Sequence, residues 1–470
     1  MQLEAPLERA GHLVTAFAVC WYHRIWVYNL RCRRPVGTPA GQPQILGVGM
    51  EISLENVRCL CEKQTLRVKP LTFLVGENST GKSTFLAMLA HISSPSFPSL
   101  RPDFNTPPYD LGTYDSIATY KGGRYGRADH FVVGFKADEG SSRSATYVNA
   151  KGQPQLQSYM QKDKDEEFAF ELDVAERSGT ITFSRPSPEE SARIPIDLTP
   201  ILADNSDASI NLIVHFALAR GPFKKSGPEG LIPPSILRVG GPALPPALSL
   251  GPIRAKPRRT YDEFRDEFTP EGDHIAVMLA RLWQEDDQKK KILVEALTAF
   301  GGDSSLFQNI DVRRLGKGPT DPFQLLVRTA GPSANLVDVG YGVSQVLPLV
   351  VQSILASKRR RVLLQQPEVH LHPKGQAALG TFFSRMVAHS KKEFVIETHS
   401  DYLLDRVRLE VAKGTLRPDE VGILFFEKAG MVTHIHPIEI DGAGNVVDSP
   451  ESYRSFFLEE EMNLFSRVKQ

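Results

Sequence analysis

Residues 76–84 read Gly-Glu-Asn-Ser-Thr-Gly-Lys-Ser-Thr. This is the pattern G-x-x-x-x-G-K-[ST], whose residue types suit one task, the holding of a polyphosphate. The glycines let the backbone turn tightly and bring its N–H groups onto phosphate oxygens. Lys82 is spaced to reach the β- and γ-phosphates, and the Ser83 hydroxyl to hold Mg²⁺. Gly76, Asn78, Ser79, Thr80, Gly81, Lys82, Ser83 and Thr84 are therefore the expected nucleotide-binding set, with ATP and Mg²⁺ as the expected cofactors.

Such a loop needs a buried strand before it and a helix after it. Leu71-Thr72-Phe73-Leu74-Val75 is an apolar run fit for the strand, and Phe85-Leu86-Ala87-Met88-Leu89-Ala90 begins the helix. The loop then sits at a helix N-terminus, where free N–H groups and the helix dipole favour anions. Farther on, patterning predicts strands at 362–364, 393–396 and 421–426, with helices at 373–388 and 401–411. That alternation favours a mostly parallel sheet with helices on its faces. Residues 51–57 alternate and read as an edge strand. Between the two halves, strands are expected at 131–136 and 145–149, and a hairpin at 167–174 and 179–184. An exposed polar stretch is expected at 150–166, a helix at 207–220, a Pro- and Gly-rich segment at 221–260, and mainly helix at 272–300.

Composition excludes several classes. The chain has 470 residues, zero formal net charge, 41% hydrophobic and 23% charged residues, as a globular protein would. No strong overall field points to nucleic acid or membrane, although a local basic groove would still be compatible with DNA. Charge runs at 254–259 and 358–361 read as solvated surface. The four cysteines, Cys20, Cys32, Cys59 and Cys61, are too few for a disulfide framework and form no CxxC pair. With a nucleotide loop they suggest a reducing, cytoplasmic setting. No apolar run reaches the length of a membrane span.

Four segments in order carry a resemblance: Gly76–Thr84; Asp338-Val339-Gly340-Tyr341-Gly342-Val343-Ser344-Gln345; Leu363-Leu364-Gln365-Gln366-Pro367-Glu368-Val369-His370-Leu371-His372-Pro373; and Glu397-Thr398-His399-Ser400. Together they resemble the ABC-type ATPases of the OLD/RecF/SMC-like group, in particular the OLD-like branch. The resemblance implies an α/β P-loop NTPase with an ABC-ATPase-like head, a mixed sheet flanked by helices, and an inserted α+β arm. It implies head halves at 50–130 and 331–411, an insertion at 131–330 and a small C-terminal domain of unknown function at 412–470. Residues 1–49 look compositionally foreign to a domain that would start at Met50, and read as an upstream extension.

The same resemblance implies roles. Gly342, Ser344 and Gln345 would belong to a signature loop that meets the γ-phosphate held by a second copy in a head-to-tail dimer. His399 would be the switch histidine. His370 and His372 would face the partner subunit; no cysteine or carboxylate near them suggests a metal site. One departure matters. Where the group places an acid for Mg²⁺ and then a catalytic Glu, this chain has Gln365 and Gln366. An amide can orient water but carries no charge for a metal and takes no proton. Gln365 is nonetheless the residue at the metal position, and Glu368 could compensate as the base. The expectation is slow ATP hydrolysis by a dimerising switch with a separately encoded effector, since the residues after Ser400 carry no D-x-D pattern for a nuclease. In relatives such systems serve phage defence or DNA repair. The alternative is a largely non-hydrolytic, ATP-dependent scaffold. A transporter subunit is disfavoured by the lack of an LSGGQ run.

Overall fold

The computed structural model describes residues 49–123, 126–163, 166–173, 178–184, 192–198, 244–262, 267–285, 287–318, 320–358, 360–455, 459 and 462–463. The expected extension at 1–49 falls outside them but for its last residue, as does the helix expected at 207–220.

The chain opens with β1 (Met50–Glu55) and β2 (Gln64–Val68), an antiparallel pair. It then enters β3 (Leu71–Gly76), turns through the glycine loop and continues as α1 (Lys82–Ile92). A short helix, α2 (Tyr114–Ile117), and the small ribbon of β4 (Tyr120–Gly122) and β5 (Gly126–Arg127) lead into a run of antiparallel strands. These are β6 (His130–Ala137), β7 (Ser142–Ala150), β8 (Gln153–Asp163), β9 (Glu166–Asp173), β10 (Ser178–Ser184) and β11 (Ala192–Asp197). Next come β12 (Leu248–Leu250), α3 (His274–Glu285) and α4 (Asp287–Ser304). A small sheet follows, of β13 (Asn309–Arg314), β14 (Phe323–Arg328) and β15 (Ala334–Asn335). The last part runs α5 (Tyr341–Leu355), β16 (Arg361–Gln365), α6 (Pro373–Ser390), β17 (Glu393–Glu397), α7 (Asp401–Ala412), β18 (Val421–Ala429), β19 (Val432–Ile440) and β20 (Val446–Val447).

Two sheets dominate the described residues. One has the order β11-β10-β9-β8-β7-β6-β1-β2, and the other β12-β16-β17-β3-β18-β19-β20. In the second sheet the five strands from β12 to β18 run parallel, while β19 and β20 return antiparallel. This is the mixed sheet flanked by helices that the resemblance implies, mostly parallel as the alternation of elements predicts. Its central strands are buried on both faces, which is why they read as unbroken apolar runs. Leu74, Leu363, Val395, Leu424 and Phe426 point to one core, shared with α1 and the antiparallel sheet. Leu71, Phe73, Leu364, Phe394, Ile396 and Ile423 point to the other, shared with α3 to α7. The loop helix is thus clamped between two sheets.

Two local expectations fail. Residues 51–57 do not form an edge: β1 pairs with β2 on one side and β6 on the other. The polar stretch at 150–166 is no exposed loop. It is largely β8, paired with β7 and β9, and its Leu156 and Tyr159 lie in the core. The amides Gln155 and Gln161 are buried and Met160 is exposed, so the apolar residues do not alternate. β6 to β11 extend the sheet that β1 and β2 begin, and β18 to β20 extend the sheet of β3.

The last turn of α1 is fixed by His91, whose ring contacts Phe97, Phe104 and Tyr147 and whose Nε2 lies 3.0 Å from the Tyr147 hydroxyl. Burial pushes its pKa down to about 3. The unfolded chain therefore binds a proton near pH 6.5 that the folded chain refuses until about pH 3. Stability present above pH 6.5 is lost as pH falls across that window, by at most about 1.4 kcal/mol per unit. Unfolding titrations of the wild-type chain should show this slope, and His91→Gln should flatten it.

Candidate nucleotide site

β3 delivers the loop to the centre of the parallel sheet, and two glycines make its path possible. Gly76 has φ +136°, and a Cβ there would sit 2.3 Å from the Phe426 carbonyl oxygen. Gly81 has φ +97°, with Cys59 Sγ 2.7 Å from where a Cβ would be. A side chain at either position would fill the cradle or force β18 or the β1–β2 loop away. Asn78 and Ser79 are exposed at the tip, and Ser79 is left-handed, at φ +61°. The Thr80 hydroxyl closes the loop onto the Glu77 carbonyl at 2.8 Å. Thr84 is turned away from the mouth, toward the Arg58 guanidinium at 3.3 Å.

α1 begins at Lys82 with no acid in its first turn, so no side-chain carboxylate there competes for the positive end of its dipole. Lys82 is buried and donates from Nζ to the carbonyls of Gly76, at 3.0 Å, and Glu77, at 2.5 Å. Burial lowers its pKa, opposed by the charges of Glu397 and Glu77. Ser83 is exposed, and its hydroxyl donates to Glu397 Oε2 at 2.7 Å. Glu397 ends β17 and is 5% exposed.

Glu397 is the residue of the site to which reading the sequence assigned no role. Strand order explains why it matters. β17 lies between β16 and β3, so the strand that ends in Gln365 is one place removed from the loop strand. Gln365 reaches the site through Glu397, to which its Nε2 donates at 3.5 Å, while its Oε1 is buried without a partner. The available signal was an acid closing the apolar run Phe394-Val395-Ile396, where a buried charge is costly unless it has work.

Beyond β16 the chain makes a tight turn. Gln366 is left-handed at φ +44°, and its N–H donates to the Glu397 carbonyl at 2.8 Å. Arg254, expected in a solvated charge run, is instead 3% exposed beneath this turn. Its guanidinium donates to the carbonyls of Gln365 at 3.2 Å, Gln366 at 3.3 Å and Pro252 at 3.2 Å. Glu368 accepts from the His399 backbone N–H at 2.7 Å. Burial raises the Glu368 pKa, although that hydrogen bond, Thr398 and Arg254 oppose it. The His399 side chain is exposed near the loop, lining with Glu77, Asp401 and Arg454 a cavity of about 520 Å³. Partial burial and the Lys82 charge lower its pKa, so the imidazole is neutral at neutral pH.

The segment at 338–345 meets the turn rather than the loop. Gly342 lies against the His370 carbonyl, and the Tyr341 ring packs edge-on to His370. Gly340 and Tyr341 are exposed, whereas Ser344 and Gln345 are buried in the chain itself. The Ser344 hydroxyl bonds the Tyr341 carbonyl at 2.7 Å. His372 caps α6, accepting from the Lys374 N–H, and His370 is exposed. Among the described residues no group of three His, Cys, Asp or Glu side chains is placed to hold a metal ion.

The cradle closed to a Cβ, the buried lysine and the hydroxyl–carboxylate pair fit a magnesium nucleotide. Residues 252–404 match the family described as the AAA ATPase domain. The match takes in Arg254, the turn and Glu397 to Ser400, and the loop at 76–84 lies before it. No curated protein matches the chain. Among solved structures, the SMC head domain from Thermotoga maritima is similar over 83% of this chain and 98% of that one, at 10% identity and TM-score 0.37. An Smc head bound to the C-winged helix domain of ScpA gives 84%, 98%, 10% and 0.41. The Smc head with an extended coiled coil bound to the C-terminal domain of ScpA, from Pyrococcus furiosus, gives 89%, 99%, 10% and 0.38.

Arg254 generates a test. Arg254→Met leaves the buried Gln365 carbonyl and the half-buried carbonyls of Gln366 and Pro252 short of a donor and Glu368 without the charge of Arg254, and should cost about 3 kcal/mol. Arg254→Lys cannot reproduce the fork and should recover little of it. Urea unfolding of the three proteins measures both.

Proposed function

We propose that the chain is an ATP-binding, slowly hydrolysing ATPase that works as a dimerising switch. The observation that carries this reading is the gathering at one mouth of Lys82, bonded to the loop carbonyls, the Ser83–Glu397 pair and the Glu368–His399 pair, at the N-terminus of α1 and the carboxyl ends of the neighbouring strands. The loop amides and Lys82 would hold the β- and γ-phosphates. Ser83 would hold Mg²⁺, with Gln365 and Glu397 beside it; when bound, Mg²⁺ supplies charge neutralisation on the phosphate oxygens.

Gln366, held in a strained left-handed turn, would orient a water through its amide. Glu368 would take the proton that Gln366 cannot, since burial moves its pKa toward the range where a general base works. His399, neutral and exposed beside the loop, would contact the γ-phosphate and report its presence. Two amides where a charged pair would act faster make the expected turnover slow.

Head-to-tail pairing is supported by the exposed apolar side chains that flank the turn, Ile253, Val337 and Tyr341. Gly340 and Gly342, rather than the buried Ser344 and Gln345, would face the partner's phosphates. The segments at 50–130 and 331–411 would serve as the two halves of the head, and a separately encoded effector, in phage defence or DNA metabolism, would read the closed state. Gln365 and Gln366 also favour a second reading, a non-hydrolytic scaffold held together by ATP.

Wild-type turnover should stay below about one per second, at the slow end of enzyme rates. Glu368→Gln should lower it by about 10²–10⁴ with ATP affinity kept, and Lys82→Ala should abolish binding. Turnover should also fall as pH drops through the raised Glu368 pKa. Steady-state phosphate release beside equilibrium ATP binding checks all of this. Tight binding with no turnover in the wild type would select the scaffold.

A further inference from the structure

We propose that Glu397, not the residue at 365, supplies the carboxylate that a divalent cation meets beside Ser83. The acid has moved one strand across the sheet, from the end of β16 to the end of β17. This rests on reading residues 76–84 as a nucleotide loop.

Three observations support the relocation. The first is spacing. Ser83 Oγ and Glu397 Oε2 are 2.7 Å apart, and neighbouring oxygens around an octahedral Mg²⁺ with bonds of 2.0–2.1 Å are about 2.9 Å apart. The two atoms can therefore enter one coordination shell with little movement.

The second is charge. Glu397 is almost wholly buried, and its described direct partners, Ser83 and Gln365, are both neutral. Lys82 is close enough to be felt but directs its ammonium to the carbonyls of Gly76 and Glu77. A buried carboxylate without a directly paired cation costs several kcal/mol. A bound divalent ion would remove that cost.

The third is the amide. Gln365 ends against Glu397, and its Oε1 is buried without a donor. The amide faces the carboxylate through Nε2, so a turn of the amide about its last bond would bring this free oxygen to Glu397 and add it to a set of hard oxygen donors. Gln365 thus becomes the group that orients Glu397 and lends a carbonyl or a water bridge, while Glu397 carries the charge.

The test reads metal linkage rather than turnover. A fluorescent ATP analogue, mant-ATP, is titrated onto the full chain with Mg²⁺ and with EDTA. The wild type should bind more tightly with Mg²⁺. Glu397→Gln should lose about 10–100-fold of that gain. Its metal-free binding should be kept or strengthened, because one negative charge near the phosphates is gone. The double variant Gln365→Glu/Glu397→Gln puts a carboxylate back one strand away and should recover part of the gain. A Glu397→Gln protein that keeps the full Mg²⁺ gain overturns the proposal.

Since Glu397→Gln could fail to fold, the wild type is also loaded with Mn²⁺ and ADP and labelled with ¹³C at glutamate side-chain carboxyls. Electron spin echo modulation should show ¹³C coupled to Mn²⁺, and absence of coupling overturns the relocation. A wild type that binds mant-ATP indifferently to Mg²⁺ also removes the relocation while keeping the loop. One that binds no mant-ATP in either condition removes the nucleotide reading itself.

Discussion

The arrangement at the site depends on the place of β17 between β16 and β3. Pairing is in register, with Glu397 opposite Leu74 on one side and Gln365 on the other. The carboxyl ends of three buried strands therefore finish at one level, directly over the N-terminus of α1. Each end contributes something different: β3 the glycine loop, β17 an acid and a histidine, β16 an amide and a strained turn. Moving β17 to an edge would leave Ser83 without its partner and Gln365 without a bridge to the loop.

That sheet can hold a site because both its faces are covered. One face packs on α1 and the antiparallel sheet, and the other on α3 to α7. Burial makes the strand ends rigid, and also places charges there at a cost. Lys82, Arg254, Glu368 and Glu397 are all nearly buried. Each is tied to backbone or neutral groups: Lys82 to loop carbonyls, Arg254 to the turn, Glu368 to the His399 N–H, Glu397 to Ser83. A set of separately held charges around one mouth suits a ligand that carries both a cation and a polyanion.

Much of this was legible in the amino-acid sequence, and the rest was hidden for physical reasons. The loop and its flanking strand and helix could be read because local backbone demands fix their residues. The strands at 362–364, 393–396 and 421–426 could be read because burial on two faces leaves only apolar side chains. Strand order cannot be read this way, so the contact of Glu397 with Ser83 stayed hidden behind Gln365. Arg254 looked like one member of a solvated charge run, because composition does not show that three carbonyls wait beneath a turn. β8 looked like a polar loop because its inward positions hold the amides Gln155 and Gln161 beside Leu156 and Tyr159.

Contacts between the strand ends, the turn and α5 make the mouth of the site a single mechanical unit. The Gln366 N–H bonds the Glu397 carbonyl, and the Glu368 carboxylate bonds the His399 N–H, so the ends of β16 and β17 are joined twice. The turn then meets α5 through His370, whose carbonyl lies against Gly342 and whose ring meets Tyr341. Arg254 ties the same turn to Pro252, next to the exposed Ile253. A ligand that pulls Ser83 and Glu397 toward a common centre therefore acts on a turn that carries the exposed side chains around it. Packed interiors shift between discrete arrangements rather than deforming smoothly. On the function proposed above, occupancy of the loop would be expressed at the exposed Ile253, Val337 and Tyr341, the surface where a second copy would sit, with no switch element beyond the strand ends themselves.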